Sequence, residues 1–378
     1  MNTYFNPVRT FQGYGILSHL EQLVEQYADP QKSILLLVWH ADVLHLEELE
    51  QLCIREEKRL LIHCFSASNP ELEQLYEMYR ITRDKKIGMV IAVGGGSVLD
   101  VGKSLCCLYG KGEELSNPED LRRLIASKDY GSPACRWIGI PTTAGTGSEV
   151  TCWATIWDPA KGVKHSIDTQ SNYACAAIAD PQLIETLPLP LAVSSALDAA
   201  AHAAESYWAK AANTVSRALA LEAIRIIMGQ IDHLLEKPSE REAHDAMSRG
   251  SMLAGLAFSN TRTTACHSIS YPLTMQYHIP HGVAVSLLLG PVLLLNRPAL
   301  RDMDALLNAF GLTCPQELGK RITGILAAAG HPVKLRDWGV SEEMLPSLAA
   351  HSMTKGRADN NPVQLTEKVV HNILKKLM

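Results

Sequence analysis

Histidines and one carboxylate in the second half of the chain are spaced so that they could bind a metal ion. In LDAAAH, Asp198 and His202 are four residues apart, so on a helix their side chains share one face. Three more histidines, His267, His278 and His281, lie within residues 260–281. A carboxylate with two or three imidazoles suits Fe²⁺ or Zn²⁺, because these borderline cations accept nitrogen and oxygen ligands.

The spacing alone leaves the ligand set open. His278 and His281, three residues apart, are as good a pair as any that includes His267, which could be a packed core residue. A lone Asp–His pair on a helix surface is also common without a metal. One carboxylate among neutral imidazoles would leave a divalent site with net positive charge, which suits polarisation of a carbonyl oxygen.

Two glycine-rich loops follow predicted strands in the first half of the chain. GGGS at 94–97 follows MVIAV, and PTTAGTGSEV at 141–150 follows WIGI. Glycines let the backbone approach a ligand closely, and a helix N-terminus after such a loop attracts phosphate. Ser97 with Asp100 three residues later resembles an N-cap with a carboxylate capping box. Either loop alone could be an ordinary turn, but the pair predicts a ligand site at the carboxyl edge of the sheet.

These loops need a parallel sheet to position them. Four apolar runs read as strands buried on both faces: Ser33–Val38, Arg59–Cys64, Met89–Val93 and Trp137–Ile140. Amphipathic segments such as Glu47–Lys58 and Glu71–Arg83 alternate with them, which predicts an α/β domain with a parallel sheet. From about Pro188 the chain is rich in alanine and leucine at helical spacing, with no convincing strand. We predict an α/β domain at 1–188 and an all-α domain at 189–378.

Composition excludes several classes of protein. The 378 residues carry a formal net charge of −5, so there is no basic footprint for nucleic acid. No apolar run reaches about 18 residues, so no membrane span is expected. The N-terminus lacks the apolar stretch of a signal peptide. Nine scattered cysteines without a CxxC motif predict reduced thiols and a cytoplasmic protein.

Five motifs together resemble the iron-containing, group III alcohol dehydrogenase family. They are GGGSVLDVGK at 94–103, PTTAGTGSEVT at 141–151, DP at 180–181, LDAAAHAAESYW at 197–208, and AFSN…H…YHIPHG at 257–282. The resemblance covers nearly the whole chain. It implies a Rossmann-like N-terminal domain, a helical C-terminal domain, and a divalent metal in the cleft between them. Homodimers occur in the family, so a homodimer is also expected.

The resemblance also implies roles for individual residues. The expected metal ligands are Asp198, His202, His267 and His281, which leaves His278 outside the set as a partly exposed ring beside Tyr277. Fe²⁺ is favoured, and Zn²⁺ would fit the same ligands. The positions matched to cofactor contacts are Asn69, Gly94, Gly95, Gly96, Ser97, Asp100, Thr142, Thr143, Thr146 and Lys164.

Two positions depart from the family pattern. Many relatives carry a histidine four residues after the third ligand, as a candidate proton-relay group, and here that residue is Tyr271. A tyrosine can donate a proton but is a poor base at neutral pH, because its usual pKa is about 10. Relatives selective for NADH often have an acidic residue after the first long strand, where this chain has Trp39 and His40. Both NADH and NADPH remain candidates, and the missing carboxylate favours NADPH.

An arginine beside the metal motif indicates the substrate. SNTRTT at 259–264 puts Arg262 among three threonines, where relatives acting on simple alcohols tend to have small or apolar residues. A guanidinium binds phosphate-like oxyanions with two hydrogen bonds, although Arg262 could instead pair with a helix end. With TCWATIWD at 151–158, this run resembles the phosphonoacetaldehyde reductase branch, which forms 2-hydroxyethylphosphonate. Lys164 and His165 are further candidates for binding the anionic group.

Three other functions remain open. A general short-chain alcohol or polyol dehydrogenase would share the same fold and metal. A dehydroquinate-synthase-like lyase would use NAD only transiently, with a different ligand set. A non-catalytic dinucleotide-binding protein is disfavoured by the complete Asp/His₃ set. We therefore predict a metal- and NAD(P)H-dependent aldehyde reductase that acts on a small molecule, with Arg262 and Tyr271 as its catalytic candidates.

Overall fold

The computed structural model describes residues 3–111, 115–130, 132–300, 302–354 and 356–378. The chain divides into two compact units. An α/β unit consists of Asn6–Thr143 and Ser148–Leu183. A helical unit consists of Ile184–Met378, the short loop Ala144–Gly147, and the N-terminal segment up to Phe5.

The α/β unit is built on one six-stranded parallel sheet. The strands are β1 (Arg9–Gln12), β2 (Ser33–Val38), β3 (Leu60–Cys64), β4 (Ile87–Gly94), β5 (Arg136–Pro141) and β8 (Ala176–Ala179). Their spatial order is β1-β8-β5-β4-β2-β3, with every neighbouring pair parallel. The parallel sheet predicted from the apolar runs is confirmed.

Both faces of this sheet are buried at the central strands β2, β4 and β5, which explains why these strands are continuously apolar. The prediction that the second of the apolar runs, which forms β3, is buried on both faces is wrong, because β3 is an edge strand and is only partly buried. Leu35 and Leu37 of β2 belong to one hydrophobic cluster, and Ile34, Leu36 and Val38 belong to another. Alternate side chains of one strand point to opposite faces. The helices that accompany the sheet are α1 (Leu20–Tyr27), α2 (Glu47–Arg55), α3 (Leu72–Thr82), α4 (Gly96–Leu108) and α5 (Pro118–Ser127).

Four strands were not predicted from the sequence. Two of them are the sheet strands β1 and β8, which pair with each other, Arg9 opposite Ala176. The other two, β6 (Trp153–Asp158) and β7 (Val163–Asp168), form a separate antiparallel hairpin. This hairpin carries Lys164 and His165, so neither residue lies on the parallel sheet.

The helical unit contains no strand among the residues described, as predicted. Its helices are α6 (Leu189–Trp208), α7 (Thr214–Glu236), α8 (Arg241–Thr261), α9 (Ala265–Tyr277), α10 (His281–Asn296), α11 (Met303–Ala309), α12 (Glu317–Ala328), α13 (Leu345–His351) and α14 (Glu367–Lys376). They pack around one hydrophobic cluster. Within the described ranges one helical stretch, His281–Ala299, is long and apolar enough to cross a membrane, but 61% of that window is buried inside the protein, as expected of a core helix.

The N-terminal segment is fastened to the helical unit by hydrogen bonds to α8. The Phe5 N–H donates to Asn260 Oδ1 at 2.7 Å, and Asn260 Nδ2 donates back to the Phe5 carbonyl oxygen at 3.0 Å. The Tyr4 hydroxyl donates to the Leu256 carbonyl oxygen at 3.3 Å. Residues 3–5 therefore belong to a unit whose helices all begin after Ile184.

Candidate metal centre and dinucleotide loops

Three helices of the helical unit bring a carboxylate and two imidazoles together. Asp198 on α6, His267 on α9 and His281 at the start of α10 each offer a ligand atom, and these atoms all lie within 4.8 Å of one another. His267 Nε2 is 3.5 Å from Asp198 Oδ1. Asp198 and His267 are buried and His281 is partly buried. We call Asp198, His267 and His281 the metal group.

His202, the fourth predicted ligand, lies beside the metal group. Its Nδ1 is 3.8 Å from Asp198 Oδ1, consistent with the i, i+4 spacing on α6. Its ring is 4.3 Å from the His267 ring and stacks on Phe258 at 4.2 Å. A hydrogen bond to the backbone of Gly145 also holds it. The structure therefore brings all four predicted ligands into one buried region.

Several of these ligand atoms lack a hydrogen-bond partner, which fits a cation site. Asp198 Oδ1, His202 Nδ1 and His267 Nε2 are buried and make no hydrogen bond within the described residues. Buried polar atoms are normally paired, since an unpaired one costs about 1–3 kcal/mol. A divalent cation would satisfy all three at once, and one carboxylate with imidazoles is a donor set for Fe²⁺ or Zn²⁺.

The charge balance of the metal group is unusual for buried residues. Burial tends to raise the pKa of Asp198, but the surrounding His202, His267 and His281 outweigh it and hold that pKa well below its ordinary value. Burial lowers the pKa of His202 to about 4. Burial also works to lower the pKa of His267, but Glu205 and Asp198 overcome it and raise this pKa to about 10. Asp198 is therefore an anion, ready to bind a cation.

A glycine makes the close approach of α10 to α6 feasible. A Cβ on Gly282 would lie 2.2 Å from the Ser194 carbonyl oxygen and 3.4 Å from Asp198 Cβ. Only a residue without a side chain fits there. Because His281 precedes this glycine, the close packing sets His281 beside Asp198. The HG dipeptide at 281–282 is thus a packing signal as well as a ligand motif.

The remaining residues of the histidine-rich stretch take different positions. His278 is exposed, lies outside the metal group and ends α9 with a left-handed φ of 54°. Tyr271 is 7% exposed, and its ring lies nearly parallel to the His281 ring with a centroid separation of 6.1 Å. The tyrosine four residues after His267 therefore lies next to His281, a predicted metal ligand.

One buried acidic residue at this site was missed in the sequence. Glu205 on α6 is fully buried, and His267 Nδ1 donates a hydrogen bond to its Oε2. Asp198, His202 and Glu205 are spaced i, i+4, i+7, so they share one face of α6. That spacing was the available signal, because a carboxylate behind a metal-binding histidine is a common arrangement.

The first glycine loop meets the start of the second, Thr142 and Thr143, in the α/β unit, since the two loops follow the neighbouring strands β4 and β5. Thr142 N–H donates to the Gly94 carbonyl oxygen at 3.0 Å, and a Cβ on Gly95 would lie 3.3 Å from Thr143 Cγ2. Asn69, in left-handed conformation with φ 56°, donates its N–H to Ser97 Oγ at 3.1 Å. Predicted cofactor residues from three separate segments are therefore neighbours at the carboxyl edge of the sheet.

The helix that follows the first loop starts two residues earlier than a Ser97 cap requires. Helix α4 begins at Gly96, with Gly95 at the N-cap and no side chain capping it, so the predicted Ser97–Asp100 capping box is wrong. The Asp100 carboxylate instead accepts hydrogen bonds from Ser148 Oγ at 2.6 Å and Thr155 N–H at 2.7 Å. These bonds tie α4 to the segment after β5. A contact between Asp100 and the cofactor stays a prediction.

Three other predicted residues make contacts of their own. Thr146 belongs to the loop that clusters with the helical unit. Lys164 has its Nζ 5.2 Å from the centre of the Trp157 ring. His165 Nε2 is 3.3 Å from Asp158 Oδ2, and Arg122 holds the same carboxylate. His165 is thus committed to a structural ion-pair network.

The SNTRTT run does not present three threonine hydroxyls to a ligand. Thr261 Oγ1 donates to Ser206 Oγ at 3.0 Å, and Thr264 Oγ1 donates to Glu205 Oε1 at 2.8 Å. Of the three, only Thr263 Oγ1 makes no hydrogen bond within the described residues. The expected pocket of one arginine and three threonines therefore reduces to Arg262 and Thr263.

The fold and the buried Asp/His group together define the class of metal-dependent alcohol dehydrogenases. Residues 7–181 match the family model for iron-containing alcohol dehydrogenase, and residues 192–378 match the C-terminal model of the same family. The chain belongs to the iron-containing alcohol dehydrogenase family. It is an oxidoreductase that acts on alcohols and aldehydes, as predicted.

Relatives and solved structures agree with this assignment. A 1,3-propanediol dehydrogenase of Citrobacter freundii is 31% identical, over 82% of this chain and 80% of that protein. An NAD-dependent methanol dehydrogenase of Bacillus methanolicus is 27% identical, over 82% of each. The crystal structure of a sulfoacetaldehyde reductase from Bifidobacterium kashiwanohense in complex with NAD⁺ has a TM-score of 0.85 at 24% identity, covering 100% of this chain and 98% of that one. At this level of identity, the likeness to the sulfoacetaldehyde reductase shows that the two proteins share a fold.

Proposed function

We propose that this enzyme reduces a small aldehyde carrying an anionic tail, with phosphonoacetaldehyde as the substrate and 2-hydroxyethylphosphonate as the product. The observation that carries the proposal is the conformation of Arg262. It ends α8 with φ 61° and ψ −179°, a region that costs a residue other than glycine about 1–3 kcal/mol. Such strain tends to persist at functional sites, where the surrounding structure enforces it.

Asn360 enforces this conformation from both sides of the arginine. Its Nδ2 donates to the Thr261 carbonyl oxygen at 2.8 Å and to the Thr263 carbonyl oxygen at 3.0 Å. Arg262 is half-buried, and the unsatisfied Thr263 hydroxyl is its neighbour. A guanidinium and a hydroxyl held in place five and four residues before His267 suit an oxyanion such as a phosphonate.

Each group of residues then has one task in the reaction. When bound, the metal supplies Lewis-acid polarisation of the carbonyl and the reduced nicotinamide supplies the hydride. Asp198, His202, His267 and His281 hold the metal. Arg262 and Thr263 hold the anionic tail and so orient the aldehyde. Tyr271 delivers the proton that the product oxygen needs, and its low basicity matters less in this direction because it acts as an acid.

The dinucleotide is held by the loops of the α/β unit at Asn69, Gly94–Ser97, Thr142 and Thr143. The NAD-dependent methanol dehydrogenase relative supports a nicotinamide cofactor. NADPH is favoured because Trp39 and His40 supply no carboxylate after β2. Asp42 opposes that preference, because its negative charge would repel a 2′-phosphate beside His40. Its Oδ2 lies 3.2 Å from His40 Nδ1. Replacing Asp42 by asparagine should therefore shift the ratio of kcat/KM values toward NADPH.

The decisive experiment compares phosphonoacetaldehyde, sulfoacetaldehyde and propanal with wild type, Arg262→Ala and Arg262→Lys. Loss of a charge-assisted contact worth about 1.5–3 kcal/mol should raise KM for the two anionic aldehydes roughly 10- to 100-fold. KM for propanal should change less than about threefold. The lysine variant keeps the charge but not the two-point geometry, so it should fall between. Equal losses on all three aldehydes would contradict the anion site.

The main alternative is a general short-chain alcohol or polyol dehydrogenase. It is favoured by the 31% identity to a 1,3-propanediol dehydrogenase. In that case, the wild-type enzyme would reduce propanal as efficiently as the anionic aldehydes. The same steady-state screen therefore separates the two functions before any variant is made.

A further inference from the structure

We propose that Glu205 is the positioning residue of the metal centre. It fixes the His267 ring so that Nδ1–H points to Glu205 and Nε2 points to Asp198. This inference concerns how the ligand is held and does not depend on which aldehyde is the substrate. It rests on the direction of four hydrogen bonds around one buried carboxylate.

The carboxylate of Glu205 is completely buried, and both of its oxygens accept hydrogen bonds. Oε1 accepts hydrogen bonds from Thr264 Oγ1 at 2.8 Å and from the Cys266 N–H at 2.6 Å. Oε2 accepts a hydrogen bond from His267 Nδ1. Burying a carboxylate is costly unless such donors surround it. All three donors lie between residues 264 and 267, so Glu205 on α6 fastens the first turn of α9.

The direction of these bonds is set by an outer residue. The indole Nε1 of Trp208 donates to Thr264 Oγ1 at 2.8 Å, and an indole N–H can only donate. The Thr264 hydroxyl must therefore turn its own proton to Glu205. The Cys266 amide is likewise a donor only. Thr264 and Cys266 thus both require an acceptor at Oε1, which leaves Oε2 as the acceptor for the His267 Nδ1–H.

This arrangement settles which nitrogen of His267 can serve the metal group. Because Nδ1 gives its proton to Glu205, Nε2 is the nitrogen left for a ligand role. Nε2 is also the atom that lies 3.5 Å from Asp198 Oδ1 and has no hydrogen-bond partner among the described atoms. A carboxylate behind a ligating histidine fixes the ring orientation and strengthens the ligand, and its loss typically costs about 10- to 100-fold in metal affinity.

The test uses Co²⁺ as the probe, because its affinity and its visible absorption both report on the ligand set. Glu205→Gln has nearly the same shape but places an NH₂ against groups that are all donors. Glu149→Gln is the matched control: Glu149 is also a buried glutamate, but it belongs to the α/β unit. Dissociation constants would be measured on the purified full-length protein by competition with a chelator.

We expect Glu205→Gln to weaken Co²⁺ binding roughly 10- to 100-fold and to alter the visible spectrum of the bound Co²⁺, while Glu149→Gln changes neither. Thr264→Val removes one donor and should have a smaller effect of the same sign. Thr264→Ser restores the hydroxyl and should restore the affinity. Wild-type affinity and spectrum in Glu205→Gln would overturn the proposal.

If Glu205→Gln does not fold, the proposal is tested with the two variants Thr264→Val and Thr264→Ser. Unchanged Co²⁺ affinity in a folded Thr264→Val protein would then overturn the proposal. A loss in Thr264→Val that Thr264→Ser reverses would support it. Failure of the aldehyde screen would show up in KM values alone, so the two proposals can fail separately.

Discussion

Gly282 and Ser194 approach so closely that no side chain can be accommodated between them. A Cβ on Gly282 would fall 2.2 Å from the Ser194 carbonyl oxygen, which is backbone and cannot swing away. The contact joins the first turn of α10 to α6, four residues before Asp198. The spacing of the predicted metal ligands therefore depends on a glycine that has no side chain of its own to bind a metal.

Gly282→Ala should weaken both the fold and the metal centre. The added methyl group must push α10 away from α6, and overpacking of this kind costs about 1–3 kcal/mol. His281 moves with α10, so metal retention after dialysis should fall as well. Gly229→Ala on α7, where an added Cβ meets nothing within 4 Å, is the matched control. Equal melting temperatures and metal contents for the two variants would argue against this role.

Asp198→Ala should abolish metal retention, because it removes the anion around which the histidines gather. His202→Ala should also lower the metal content, since His202 Nδ1 is 3.8 Å from the same carboxylate. His278→Ala, at an exposed position outside the metal group, should behave like wild type. Elemental analysis of the purified variants checks all three. An active, metal-replete Asp198→Ala protein would refute the ligand assignment.

Tyr271→Phe should slow aldehyde reduction without removing the metal. Acid–base groups typically contribute about 10²- to 10⁴-fold to rate, and Tyr271 lies beside His281 with its ring nearly parallel. We expect kcat to fall at least about tenfold with unchanged metal content. Tyr277→Phe, on the same helix, is the control. Wild-type kcat in Tyr271→Phe would assign proton delivery to water or a ribose hydroxyl instead.

Asn360→Ala should reproduce part of the Arg262→Ala phenotype. Without the amide that bridges the carbonyl oxygens of Thr261 and Thr263, Arg262 can leave its left-handed conformation. KM for anionic aldehydes should rise, with little change for propanal. The double variant Arg262→Ala/Asn360→Ala should be no worse than Arg262→Ala alone, because coupled residues are not additive. Fully additive losses would mean that Asn360 acts elsewhere.

Glu149 should make the stability of the protein depend on pH. Burial raises its pKa from 4.5 to about 7, so the folded protein keeps a proton that the unfolded chain releases. This stabilisation is complete below pH 4.5 and is lost as the pH rises to about 7. At about 1.4 kcal/mol per pH unit, the loss is on the order of 3 kcal/mol.

The comparison with Glu149→Gln isolates that effect, because the amide cannot titrate. Denaturant unfolding at several pH values should show wild type losing stability relative to Glu149→Gln between pH 4.5 and about 7. A difference that stays constant over this range would mean that Glu149 is ionised throughout.

Much of the fold was readable because β2, β4 and β5 are buried on both faces and therefore continuously apolar. Two of the missed strands, β8 and β1, are too short and too poor in large apolar residues to give this signal. β8 is AAIA and β1 is RTFQ, both four residues long, and each pairs with a strand more than 150 residues away. Their strand character comes from tertiary pairing, which a local pattern does not record.

The candidate site, like the fold, could be predicted from the sequence only in part. The Asp198–His202 spacing predicted a shared helix face because both residues lie on one helix. The separation of His267 and His281 from His278 came only from the family motif, since the left-handed turn at His278 and the fit of Gly282 are invisible in the spacing. The three threonines looked equivalent in sequence. Two of their hydroxyls, however, donate hydrogen bonds to Ser206 and Glu205, which lie on a helix more than 50 residues earlier.

The hydrogen bonds between Phe5 and Asn260 also have a consequence for the order of events during synthesis. Phe5 is synthesised well before its partner Asn260, which is made 255 residues later. At translation rates of about 5–20 residues per second, the wait is roughly ten seconds to a minute. These bonds can therefore form only after the whole α/β unit has been synthesised, so the helical unit is completed last by the docking of residues made earlier.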